Sequence, residues 1–213
     1  MNNSTRILRI KELLKEELNK ELPGIEAQYR MAPGLRRRIR PSGFKQRAAV
    51  LILFYPYRGV LSTIFIRRTK YRGVHSGQIS LPGGKVESFE NDPAHTALRE
   101  THEEIGINPL EIEILGRLTE LQIPISKIIV SPFVGFMNER PLFQPDRQEV
   151  ERIIETPLNE FLKQETRQER IKIFFISKAL IPYYNINGHH IWGATAMIIS
   201  EFVEILKRIG DPL

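Results

Sequence analysis

The chain has 213 residues, of which 41% are hydrophobic and 26% charged, with 31 Lys and Arg against 25 Asp and Glu for a formal charge of +6. That length supports one substantial core, and that composition lies outside the regime of disordered chains. The absence of cysteine excludes a disulfide framework, a thiolate nucleophile and cysteine-ligated zinc or iron–sulfur centres, so any metal must be held by oxygen or imidazole.

In chain order, Ile7, Ile10, Leu14 and Leu18 recur at three- and four-residue steps, which predicts an amphipathic helix from Thr5 to Glu21 that Pro23-Gly24 stops. Its apolar face is expected to pack on the domain or on a second subunit, as in a homodimer. A Pro- and Gly-punctuated linker follows from Met31 to Gly43, so residues 1–43 form a helical and basic preface to a domain over 44–213. Ala48–Tyr55 and Leu61–Arg68 are apolar runs that read as strands, and Gln78–Leu81 as a third, short one. Pro93–Ile105 is predicted helical, with Asn91 or Asp92 as cap, Pro93 in the first turn and Gly106 as stop. Ile112–Leu118 and Ile128–Phe136 are further strands. Then come a short helix at Leu158–Lys163, a strand at Lys172–Ser177 and a closing helix at Ala194–Ile209. Strands and helices intermix without regular alternation, which predicts an α/β fold, a mixed sheet with helices on both faces. No apolar run approaches the ~20 residues that span a bilayer. Met1–Gly24 lacks the uninterrupted apolar stretch of a signal peptide, so a cytoplasmic protein is expected.

The positive charge is concentrated. Arg30, Arg36, Arg37, Arg38, Arg40, Lys45 and Arg47 form one window without an acid, and Arg67, Arg68, Lys70 and Arg72 a second; the remainder of the chain is net acidic. Such a division suits a polyanionic partner, whether nucleic acid, a membrane surface or a small molecule with several phosphates, and equally a solvated basic face.

The chemistry concentrates between Gly83 and Ile107. Glu100, Glu103 and Glu104 stand at i, i+3 and i+4 of the predicted helix and share one face. Three crowded acids repel one another, so either water solvates them or a hard cation neutralises them, and carboxylate oxygens suit Mg²⁺ or Mn²⁺. Just upstream, Gly83-Gly84 permits a close backbone approach that could bring a carbonyl, that of Gly84, to the same cation.

These residues resemble the Nudix hydrolases, whose signature runs Gly, five residues, Glu, seven residues, Arg-Glu, an apolar residue, any residue, Glu-Glu, any residue, Gly and an apolar residue. Here Gly84, Glu90, Arg99-Glu100, Glu103-Glu104, Gly106 and Ile107 fill the pattern. Eight residues instead of seven separate Glu90 from Arg99, and Thr101 stands at the apolar position. The extra residue leaves the three-carboxylate spacing intact and bears only on the structural ion pair between Glu90 and Arg99. The longer box is similar to that of the coenzyme A pyrophosphatase branch, as are Arg68, His75, Gly77-Gln78 and Leu81-Pro82-Gly83-Gly84 upstream. Ser131-Pro132-Phe133-Val134-Gly135, Glu149-Val150, Thr156-Pro157-Leu158 and Trp192-Gly193-Ala194-Thr195-Ala196 extend the likeness, which covers roughly Ala48 to Glu204. Leu81 replaces the branch's Phe, and Gly73-Val74 its basic residues before His75.

The resemblance implies a Nudix α/β/α sandwich and metal-dependent hydrolysis of coenzyme A or acyl-CoA to 3′,5′-ADP and 4′-phosphopantetheine by direct attack of water. It implies Mg²⁺ or Mn²⁺ held by Glu100, Glu103, Glu104 and Gly84, with Glu149 or a box glutamate as base. It further implies substrate contacts from Arg68, Lys70, Arg72, His75, Gln78, Gly83 and Gly84, and a supporting role for Glu90, Arg99 and Gly106. Arg68 with Lys70, Arg72 or the Arg36–Arg38 cluster could meet a 3′-phosphate. Two rivals remain at this stage. One is another Nudix substrate, such as ADP-ribose, a dinucleoside polyphosphate or a nucleoside triphosphate. The other is a non-catalytic nucleic-acid-binding module, against which the acid triad argues, since it would repel a phosphate backbone without metal. His102-Glu103 begins no zinc-protease motif, because Gly106 stands where a second His would be needed. His189-His190 reads as a turn or strand-edge pair, and Trp192 as core.

Overall fold

A computed structural model describes residues 3–34, 43–44, 46–70, 76–174 and 177–210. Its helices are α1 (Asn3–Leu18), α2 (Gly24–Tyr29), α3 (Pro93–Ile105) and α4 (Gly193–Arg208). The strands are β1 (Gln46–Tyr57), β2 (Val60–Arg68), β3 (Ile79–Ser80), β4 (Gly83–Lys85), β5 (Glu113–Arg117), β6 (Leu121–Ile123), β7 (Ile128–Phe136), β8 (Val150–Pro157), β9 (Arg167–Phe174), β10 (Ser177–Ile186) and β11 (His189–Trp192).

The main sheet is mixed and runs β3-β2-β1-β7-β5, with β4 on β1, β6 on β7 and β8 on β2. Among the described residues, only β1 and β7 pair in parallel, from Gln46 opposite Ile128 to Phe54 opposite Phe136; the long connection between them carries α3. A second, antiparallel sheet is ordered β11-β10-β9.

β1 explains the layering. Its continuous apolar run is buried on both sides, and alternate residues serve different cores. Ala49, Leu51, Leu53 and Tyr55 join Ala97 and Ile105 of α3 on one face, while Ile52 and Phe54 join the residues of α1 and α4 on the other. Helices therefore pack on both faces, in the α/β arrangement that the sequence pattern predicts. The apolar stripe of α1, Ile7, Ile10, Leu14 and Leu18, is buried against this chain's own sheet and α4. Each such side chain contributes about 2 kcal/mol of burial.

Several elements differ from the sequence expectation. The segment after Pro23 forms α2, whose Ala27 and Gln28 are buried against α4. There Glu201 accepts hydrogen bonds from Gly24 N at 3.1 Å, Thr119 N at 3.2 Å and Gln28 Nε2 at 2.8 Å. β8 fills the edge of β2 where no strand was expected, because its Val-Glu-Arg-Ile-Ile-Glu run alternates poorly and owes its strand form to the partner. The strand expected at Lys172–Ser177 straddles two strands, β9 ending at Phe174 and β10 beginning at Ser177. Trp192 is half-buried at the start of α4 instead of lying in the core. Within the two basic windows, Arg30 pairs with Glu204 at 2.9 Å, Arg47 with Glu120 and Arg68 with Glu104, so distant parts of the chain supply acids that the windows lack. Arg36, Arg37, Arg38, Arg40, Lys45, Arg72 and His75 lie outside the described residues. Among the described residues, no helix is long and apolar enough to cross a membrane.

Candidate active site

α3 is well delimited by its own sequence. Asp92 Oδ1 accepts from Ala94 N at 2.9 Å, Pro93 occupies the first turn, and Gly106 closes the helix at φ 76° in the left-handed region. A β-carbon at 106 would strike Gln144, so the glycine also lets the segment before Glu149 lie against the helix end. That segment is bonded there through Gln144 N to Ile105 O at 2.9 Å and Asp146 N to Glu104 O at 3.0 Å.

The glycine pair of β4 brings sheet and helix together. A side chain at Gly83 would meet the backbone of Ala49 and Val50, and one at Gly84 would fall on the Glu100 carboxylate. Gly83 N donates to Glu104 Oε2 at 2.9 Å, and Arg68 Nη1 to Glu104 Oε1 at 3.0 Å. Arg68 Nη2 also faces Glu149 Oε2 at 3.6 Å. Arg68 thus stands between two carboxylates.

Arg99 organises the other side. Its Nε donates to Glu90 Oε1 at 3.0 Å, its Nη1 reaches Glu103 Oε2 at 2.7 Å and Glu100 Oε1 at 2.9 Å, and its Nη2 donates to Lys85 O at 3.2 Å. Glu90 also accepts from Glu87 N at 2.9 Å and Thr96 Oγ1 at 2.8 Å. The ion pair of Glu90 and Arg99 forms despite the extra residue between them, because the loop before α3 absorbs it. The Arg99 hydrogen bond, aided by those from Glu87 and Thr96, holds the Glu90 carboxyl down at about 2 against the opposing effect of burial.

Glu100 and Glu104 both shift the other way from Glu90. Burial pushes Glu104 up to about 7; Gly83 N and Arg68 oppose this, while Glu100 and Glu149 add to it. Burial likewise raises Glu100, with Glu103 and Glu149 adding repulsion and Arg99 opposing. Glu103 is 55% exposed and turned onto Arg99, and Glu149 is 52% exposed. As the side chains stand, no three acids or imidazoles among the described residues are gathered as a ready cation cage. The donor set nevertheless fits a hard divalent ion. It is all oxygen, Glu104 is buried and Glu100 half-buried, both with raised proton affinity, and the bare Cα of Gly84 leaves room beside Glu100. Of the remaining expected contacts, Lys70 is exposed, and Gln78 is half-buried with its carbonyl accepting from Arg68 N at 3.0 Å. Sequence reasoning named Gly83 as a substrate contact but missed that its amide holds Glu104, and it missed the carbonyl of Lys85 that holds Arg99; the Gly-Gly pair was the available signal.

Residues 45–175 match the NUDIX domain model. The chain belongs to the Nudix family. Nudix hydrolase 15, mitochondrial, of Arabidopsis thaliana is 38% identical to it over 175 residues, covering 78% of this chain and 60% of the relative. This chain therefore spans less than two thirds of that relative's length. The mitochondrial coenzyme A diphosphatase NUDT8 of Homo sapiens is 31% identical over 176 residues, covering 80% of this chain and 72% of the relative. The crystal structure of the Nudix hydrolase RenU from M. Smegmatis superposes with a TM-score of 0.54 at 17% identity, covering 76% of this chain and 86% of that one, which is a likeness of fold. Nudix hydrolases generally use divalent metals such as Mg²⁺ or Mn²⁺. The Nudix signature coincides with α3 and its approach through β4, the part of the molecule where the acids, the two arginines and the glycine pair meet.

Proposed function

We propose that this Nudix protein hydrolyses the pyrophosphate bond of coenzyme A or acyl-CoA, releasing 3′,5′-ADP and 4′-phosphopantetheine. The observation that supports hydrolysis is the seat of Glu104, buried, and Glu100, half-buried, against Gly83-Gly84, where burial raises the proton affinity of both. The choice of coenzyme A is supported by the human relative, named as a coenzyme A diphosphatase.

Glu100, Glu103, Glu104 and the Gly84 carbonyl would hold Mg²⁺ or Mn²⁺. Bound there, a divalent ion neutralises the pyrophosphate and lowers the pKa of the attacking water. The residues of the chain do the rest. Glu149, half exposed and steered by Arg68, takes the proton of the water. Arg99 orients Glu100 and Glu103 while its pairing with Glu90 fixes the guanidinium. Lys70 and Gln78 contact the phosphates in this reading, and Arg72 and His75, which lie outside the described residues, are given the same role from the sequence resemblance alone. No covalent enzyme intermediate is required. Cytoplasmic location belongs to the same reading; the Arabidopsis and human relatives are mitochondrial by name, so fractionation of the source cells decides it.

The test is chromatography of products after incubation with Mg²⁺ or Mn²⁺ and coenzyme A, ADP-ribose, a diadenosine polyphosphate or nucleoside triphosphates. Formation of 3′,5′-ADP and 4′-phosphopantetheine from coenzyme A alone is expected. Cleavage of another member instead would overturn the substrate, and an inert panel would overturn hydrolysis itself.

A further inference from the structure

His189-His190 has a more specific environment than a strand-edge pair. Arg67 Nη2 lies 3.1 Å from His189 Nδ1, and Arg170 Nη1 lies 3.1 Å from His190 Nδ1. A guanidinium can only donate, so the ring nitrogen that faces each one is the acceptor of the pair. Arg67 on β2 is directly opposite Arg152 on β8, a cross-strand pair of like charges that opposes the pairing. Arg170 also lies 5.3 Å from the centre of the Tyr183 ring, against which His190 packs at 4.6 Å. β2, β8 and β11 thus bring Arg67, Arg152 and His189 together, while Arg170 and His190 pair on the opposite face of β11, since successive strand side chains alternate.

Among the described residues, no acid offsets this charge: no carboxylate forms an ion pair with Arg67, Arg152 or Arg170, and the buried Nε atoms of Arg67 and Arg170 have no hydrogen-bond partner. Burial, Arg67, Arg152 and His190 all hold His189 below its ordinary value, and no opposing acid acts on it. Arg30, Arg47, Arg68 and Arg99 by contrast each face a carboxylate, as does Arg140 beside Glu155 at 2.8 Å.

We infer that Arg67, Arg152 and His189, backed by Arg170 and His190, form an anion subsite for a phosphate monoester. Guanidinium groups bind a phosphate dianion through paired, charge-assisted hydrogen bonds, and a neutral imidazole adds an N–H donor. Two sources carry this chemistry, a terminal phosphate on the substrate and a free phosphate compound. Assignment to the 3′-phosphate of coenzyme A rests on the function proposed above; binding of inorganic phosphate does not. Arg67 precedes Arg68 in β2, so the cluster adjoins the strand end from which Arg68 reaches Glu104.

The experiment combines calorimetric titration of the full chain with inorganic phosphate and kcat/KM for coenzyme A against dephospho-coenzyme A. The variants are Arg152→Ala, Arg170→Ala and, as an exposed cation elsewhere, Lys163→Ala, all at constant ionic strength and with melting curves to show that each folds. Arg152 is exposed, so its truncation leaves packing intact. Phosphate affinity is expected to fall about tenfold in Arg152→Ala and to stay the same in Lys163→Ala. If the preference for coenzyme A over its dephospho form also drops about tenfold, the substrate is the source of the phosphate. If that preference is unchanged while phosphate affinity falls, the subsite serves a free phosphate compound. Equal phosphate affinity in wild type and Arg152→Ala, or none in either, overturns the subsite. A wild type that leaves coenzyme A uncut removes the proposed function instead, and the phosphate titration still reports on the cluster.

Discussion

Glu104 on α3 and Glu201 on α4 are both buried acids, 2% and 0% exposed, yet their surroundings differ in kind. Glu201 receives two backbone amides and the Gln28 amide, and it ties α2 and the segment before β6 to α4. Its partners are three neutral donors brought from two parts of the chain, which is how a buried charge becomes structural. Glu104 receives one amide and one arginine but also faces Glu100 and Glu149, and burial pushes it up to about 7. Repulsion left standing in a buried place marks a group arranged for a ligand or a proton.

The sharpest way to break this contrast is to neutralise Glu104. Glu104→Gln should lower kcat/KM by about a thousandfold while its circular dichroism stays native; near-normal turnover would remove Glu104 from the site. Glu201→Ala should do the reverse. Three donors lose their acceptor, so stability should drop by about 3 kcal/mol in a denaturant titration, with kcat per folded molecule kept; a catalytic defect in fully folded protein would contradict its structural role. Glu149→Gln should slow single-turnover hydrolysis by about a hundredfold with substrate binding largely kept, and an unchanged rate would rule out Glu149 as base.

The smallest effect is in pH. The folded state holds Glu104 at about 7, above the ordinary 4.5, so it favours the protonated acid. Its contribution to stability is then full below pH 4.5 and lost as pH rises to 7. Without divalent metal, wild type should therefore lose stability relative to Glu104→Gln across that window, whereas Glu90, held at about 2, contributes above pH 4.5 and loses its effect as pH falls from 4.5 toward 2. A flat difference in melting temperature between the two proteins from pH 4.5 to 7 would show that the burial of Glu104 is compensated.

α3 was legible because its signals are local. Asp92, Pro93 and Gly106 sit at its ends, and the i, i+3, i+4 spacing puts Glu100, Glu103 and Glu104 on one face whatever the helix packs against. The short contacts of β4 were less legible. Gly83-Gly84 announced a close approach, but not that Gly83 N would meet Glu104 or that Glu100 would lie on Gly84. β8 and the β9–β10 hairpin were hardly legible at all, since their strand form depends on partners that periodicity does not name.

By itself, then, the sequence determined the ends of α3, the burial of β1 on both faces, the grouping of three acids and the family to which those residues belong. These follow from turn chemistry and from periods of two and 3.6 residues, which act over a few positions. Only the tertiary structure decided that Arg68 stands between Glu104 and Glu149, that Glu103 turns to Arg99, and that Arg67, Arg152 and His189 come together without an acid. Those arrangements join residues up to 122 positions apart, and whether such a charge meets an acid, another base or water is set by strand pairing and packing rather than by its neighbours in the chain.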